Sequence, residues 1–137
     1  MAKPFSAILT ILILLIAGAI LAAPVIGVHS AAALQSLYDI SIEEPTLLLL
    51  MRHRAVLFGC MGLLLIASVW VHAWRTPAML TALVSLVAFC VLFALDGLSH
   101  NAAIVRLFRV DLGLILALCL GLGMHWRGAG LGNAGSR

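Results

Sequence analysis

TLLLLMRHRAVLFGCMGLLLIASVWV, residues 46–71, is apolar on both sides of the triplet Arg52-His53-Arg54. If a helix began only after the triplet, four leucines and a methionine would be left in a loop. A helix that begins near Thr46 accounts for both halves of the run and places Arg52 and Arg54 about 9–12 Å from its start, at 1.5 Å per residue. A second stretch repeats the arrangement. From Ala102 to Met124 the chain is apolar except for Arg106, Arg109 and Asp111 near its beginning. Starting that helix after Asp111 would leave only about 22 Å to Trp126, too short to cross a bilayer of about 30 Å. Arg109 and Asp111 are therefore read as lying inside the helix, at a depth matching that of Arg52 and Arg54. A charge in such a place costs about 2.5–3.5 kcal/mol unless it pairs or reaches the headgroups, so charged positions usually face the interior of a bundle.

The rest of the composition fits this reading. Of 137 residues, 64% are hydrophobic and 9% charged, and the mean hydropathy is +1.22. A soluble domain carries about 25% charged residues, so a water-soluble fold is excluded. The net charge of +3 is spread between apolar runs, which argues against a nucleic-acid partner. The expected architecture is all-α: an antiparallel bundle of four membrane spans at about 5–28, 46–74, 77–95 and 102–126. A glycine-rich flexible tail is expected at about 127–137. The first run, about 24 residues, is longer than the apolar core of a signal peptide, so it is read as a retained span.

Between the first two spans, Ser30 is placed to cap a short amphipathic helix with Leu34, Leu37 and Tyr38 on one side, lying on the membrane surface. Ser41 and Glu44 have capping-box spacing before Pro45, and Thr76 precedes Pro77 as a cap for the third span. Trp70, Trp74 and Trp126 fall at one end of the expected bundle, as an interfacial aromatic belt requires. That end carries Lys3, Arg75, Arg127 and Arg137 and no acid, while the other has Arg52, Arg54, Arg106 and Arg109 with all the acids. The charge-balanced group counts for less, which puts both termini in the cytoplasm.

Small residues indicate which charges face inward. Gly113, Ala117 and Gly121 recur every four residues on the last span, with Arg109 in the same register. Ala55, Gly59 and Gly62 form a narrow face on the second span. Arg52 falls within about 60° of that face and Arg54 about 200° from Arg52. Arg52 and Arg109 are thus the expected interior cations, with Asp111, Asp96, Glu43 or Glu44 as counter-charges and Arg54 as the competing partner of Asp111. Three readings of the cluster stay open: a clamp between helices, a pocket for an anion, lipid headgroup or proton, and snorkelling to the surface.

No cofactor is expected. His72 and His125 sit beside tryptophans at the interface, too shallow to ligate a buried haem. Cys60, Cys90 and Cys119 lie at depths of about 21, 8 and 26 Å, too far apart to share a metal. No nucleophile–base pair stands out, so an enzyme is not the leading reading.

The stretch Leu37–Gly59 resembles small bacterial inner-membrane proteins with four helices, DoxX-like in plan. These carry a Leu-Tyr-Gly-Ile-like connection, a proline, a leucine run and Arg-His-Arg-Ala-Val-Leu-Phe-Gly. Asp39 stands where they have glycine. Elsewhere the resemblance extends only to helix count and apolar pattern. It implies a bacterial inner-membrane location and no particular chemistry. Two roles follow as expectations: a structural or accessory protein whose partners are the bilayer and other membrane subunits, or a binder of an anionic or lipid-like ligand. A redox subunit carrying haem or quinone is the third and weakest.

Overall fold

The computed structural model describes residues 2–97 and 100–133, with side chains over 5–97 and 100–127. The described residues are helical, with no strand among them. Helix α1 (Ala2–Ala22) tightens at Pro24 into a 3-10 turn (Ala23–Val28). Helix α2 (Ala31–Tyr38) is short, and α3 (Pro45–Ala67), α4 (Arg75–Leu95) and α5 (Ala102–Asn133) are long. Among the described residues, three segments are long and apolar enough to cross a membrane: Phe5–Val28, Pro45–Ala67 and His72–Leu95.

The helix ends follow from local chemistry. Ser30 caps α2 as the sequence suggests, its Oγ accepting from the Ala33 N–H at 3.2 Å. At α3 the cap is Glu44, not Ser41. The Glu44 carboxylate accepts from the N–H groups of Thr46 (3.0 Å) and Leu47 (2.6 Å), while the Ser41 hydroxyl donates to Glu43 at 3.0 Å. Pro45 then occupies the first helical position, where no N–H is needed. Bonds from the Thr46 side chain and from these amides hold the Glu44 carboxyl below its ordinary range. Asp39 ends α2 in the left-handed region, at φ 51° and ψ 49°. Glycine is at home there and aspartate is one of the few other residues that tolerate it, which explains why a glycine is expected at this position.

Three expected boundaries move. Helix α3 stops at Ala67, short of the expected Trp74. A bend at 68–71 and a 3-10 turn (His72–Trp74) lead directly into Arg75, so α4 starts before Thr76 and Pro77 lies within its first turn. The backbone of α5 remains helical to Asn133, through most of the expected tail. Its glycines weaken a helix, but no proline stops it. Residues 134–137 of that tail, and Leu98 and Ser99, lie outside the described residues.

Helix α1 is the centre of the packing, with α3 on one side and α5 on the other. Helix α4 lies on α5 and meets α3 only slightly. The main core is Leu14 and Ala17 of α1, Leu65 of α3, Met79, Ala82 and Leu86 of α4 and Leu118 of α5, with neighbours of the same kind. A second, smaller core of Leu34, Tyr38 and Ile42 fixes α2 against Leu48, Ile104 and Leu107.

Helices α1 and α3 approach to backbone contact. A Cβ at Gly62 would meet the Gly18 carbonyl oxygen, the Ala22 nitrogen at 2.7 Å and the Ala22 Cβ at 2.9 Å. One at Gly59 would strike the Val25 side chain. Ala55, Gly59 and Gly62 are all buried on this seam. Gly18, with Ala22 four residues on, is the partner that sequence reading overlooked.

Candidate functional site

On α3 the face holding Ala55, Gly59 and Gly62 is filled by α1, so Arg54 projects elsewhere. Its guanidinium lies among three aromatic rings. The carbon is 5.2 Å from the Phe58 centroid, one turn along the same helix, 5.5 Å from that of Phe89 on α4 and 5.9 Å from that of Tyr38 on α2. Each such contact contributes about 0.5–2 kcal/mol. Arg54 has no hydrogen-bond acceptor and no carboxylate within 4.0 Å among the described residues, where the one approach of a basic side chain to a carboxylate is His100 Nε2 to Asp96 at 3.8 Å. Both Arg52 and Arg54 are half-buried, and Nε of Arg52 is buried without a hydrogen-bond partner among the described residues.

Three spaces converge on Arg54 and Phe89. The first, of about 60 Å³, lies inside the bundle and is bounded by Tyr38 and Phe58 and, on α5, by Asp111. The second, a groove of about 420 Å³, runs from Arg54 and Phe89 past Leu92 and Phe93 to Asp96 and His100. The third, of about 290 Å³, runs the other way along α3 and α4, between Leu57 and Met61 on one side and Ser85 and Leu92 on the other. Phe93 supports the second groove, stacked at 4.3 Å on both Phe108 and His100. Burial pushes the Tyr38 phenol above its ordinary 10.0, with Arg54 pulling it down and Asp111 pushing it up, so both charges act at this ring.

The end of the bundle above this site is closed by α2. Tyr38 and Ile42 are buried there. Asn101 joins the pieces: its Oδ1 accepts from the Ile104 N–H at 2.9 Å, capping α5, while its Nδ2 donates to the carbonyls of Tyr38 and Asp39, each at 2.9 Å.

The expected cluster is thus rearranged. Arg54 and Asp111 share a cavity, without a direct ion pair, and Asp96 lies at the end of a groove that begins at Arg54. Arg52 is half-buried away from all three spaces, and Arg106 and Arg109 are exposed. The reason is steric. A small-residue face draws another backbone close and leaves no room for a guanidinium, so the inward cation is the one on the opposite side of α3. On α5, Gly121 is buried against Ile13 and Met79, and Ala117 packs on the core. Gly113, in register with Arg109, is exposed with nothing within 4 Å of a built Cβ.

At the far end of α3, Arg75 is buried at 6% exposure. Its Nε donates to the Ser68 carbonyl at 3.1 Å and Nη2 to that of Val69 at 2.9 Å, while the Ser68 hydroxyl donates to the Leu65 carbonyl. These bonds satisfy carbonyls that the end of α3 leaves open. Among the described residues no three His, Cys, Asp or Glu side chains are grouped to hold a metal ion; Cys60 and Cys119 are exposed and Cys90 is half-buried. No family model matches the chain, nor does any curated protein or solved structure.

Proposed function

We propose that this chain is a four-span protein of the bacterial inner membrane, DoxX-like in plan, that binds an anionic ligand at Arg54. Helix α5 is the fourth span. It has 32 residues, against the about 20 that a crossing needs, and it packs along α1 and α4. Both termini lie in the cytoplasm, on the side with basic residues and no acid, and α2 rests at the opposite surface. The role is accessory within the membrane rather than catalytic.

The observation that carries the ligand reading is the Arg54 guanidinium. It is set among aromatic rings, without an acceptor among the described residues, facing two grooves. A cation used only as a clamp would be expected to meet a carboxylate or carbonyls, as Arg75 does. The test is thermal unfolding of the purified protein in an uncharged detergent, with a panel of oxyanions that includes phosphate, alkyl phosphates and phospholipids. At least one should raise the unfolding temperature of the wild type and fail to raise that of Arg54→Gln. If none does, the binding role is lost.

A further inference from the structure

We propose that the ligand of the Arg54 site is a zwitterionic aminophospholipid, entering sideways from the bilayer through the seam between α3 and α4. This rests on the anion-binding reading and narrows it by route and by chemistry. The route follows from what is closed and what is open. From the nearer end of the bundle, α2 covers the site, held by its own small core and by the two bonds from Asn101. On the α1 side, α3 is packed at backbone distance around Gly62. The α3–α4 seam is the loosest edge of the bundle, and both larger grooves lie along it.

The chemistry follows from the order of groups along that seam. Helix α3 runs inward from Pro45, so Leu57 and Met61 lie deeper than Arg54; α4 runs outward, so Ser85 lies deeper than Phe89 and Asp96 lies nearest the end. The deep groove is walled mostly by apolar side chains, which suits an acyl chain. At its head is Arg54, a donor matched to phosphate oxygens. Beyond it, about 10 Å along α4 from Phe89, is Asp96, with His100 beside it. A plain anion would leave the Asp96 carboxylate facing a like charge. A phosphoethanolamine group, phosphate on Arg54 and ammonium toward Asp96, complements both ends. Polar head outward and chain inward is also the orientation of a lipid in that leaflet.

The full-length protein, purified in an uncharged detergent and doped with one lipid at a time, tests this by native mass spectrometry; inorganic phosphate is tested separately by thermal shift. Phosphatidylethanolamine should be retained several-fold better than phosphatidylglycerol or diacylglycerol, and inorganic phosphate should give no shift. Arg54→Gln should lose about tenfold of the phosphatidylethanolamine retention, with Arg54→Lys keeping part of it. Asp96→Asn, an exposed position, should narrow the gap between the two phospholipids while leaving the fold intact. Ser85→Trp, which fills the deep groove, should reduce retention without touching either charge. A shift with inorganic phosphate equal to that with the lipid would overturn the sideways route while sparing the anion site. Equal retention of the two phospholipids by the wild type would overturn the amine contact. Retention unaffected by both Arg54→Gln and Ser85→Trp would mean lipid on the outer surface and end the proposal.

Discussion

The two sides of α3 solve opposite problems. Toward α1 it presents Ala55, Gly59 and Gly62, and the helices meet backbone to backbone with no space left. Toward α4 it presents Arg54, Leu57, Phe58 and Met61, and the helices stand apart around grooves. One side derives its stability from close approach, through dispersion contacts that fall away with the smallest gap. The other gives up contact and keeps a cation reachable. A single helix can do both because side chains at successive positions point about 100° apart, so a face of small residues and a face of large ones coexist on one rod.

The largest expected effect tests the tight side. Gly62→Ala adds one methyl group where the backbone of α1 already stands, and the whole of α1 must shift to admit it. Destabilisation of about 1–3 kcal/mol is expected in reversible unfolding from mixed micelles. Gly113→Ala, on an open face of α5, should be neutral or stabilising, by up to about 1 kcal/mol. Equal costs at the two positions would break the contrast between packed and open faces.

Next in size is the cation that is fully engaged. Arg75→Met keeps the length of the side chain and removes both bonds to the Ser68 and Val69 carbonyls. A loss of about 2 kcal/mol is expected in the same assay, since bonds from a charged donor contribute about 1.5–3 kcal/mol. Arg54→Met should cost less, because no hydrogen bond is broken among the described residues and the thioether keeps part of the contact with the three rings. If the two arginines prove equivalent, Arg54 is a structural clamp after all.

The smallest effect is spectroscopic and sharpens the open side. Tyr38 is the sole tyrosine, so phenolate absorbance reports one group. Its midpoint should lie above 10.0 in the folded protein. Arg54→Gln should raise it further and Asp111→Asn should lower it, in keeping with the signs of the two charges. A phenol with a raised folded value favours the fold at lower pH, and that contribution fades as pH climbs through the folded midpoint. A midpoint insensitive to both substitutions would remove Arg54 and Asp111 from the neighbourhood of the ring.

Hydropathy made the membrane class and the long helices legible, because a helix in hydrocarbon needs a long apolar run and little else. The Gly59 and Gly62 face was legible for a similar reason: close helices require small residues. The direction of the charges was not. Sequence places Arg52 beside the small face and infers that it points inward, yet that face is where a guanidinium cannot fit. The end of α3 was hidden as well, since Ser68 to Val71 is apolar enough to continue a helix. Arg75, a few residues on, reaches back to the carbonyls of Ser68 and Val69 and helps make stopping there favourable. Asn101 reads as a turn residue in the chain, and its second role depends on two carbonyls more than sixty positions earlier.

That last contact has a bearing on how the molecule comes to be assembled. On a ribosome the chain appears from its N-terminus, and α2 emerges well before Asn101. Until then the carbonyls of Tyr38 and Asp39 have no side chain to meet. When α5 arrives, one amide both starts it and fastens it to the segment made long before. The roof over the Arg54 chamber is therefore latched by a helix made well after it, and a chain released before Asn101 would keep its floor and lose its latch.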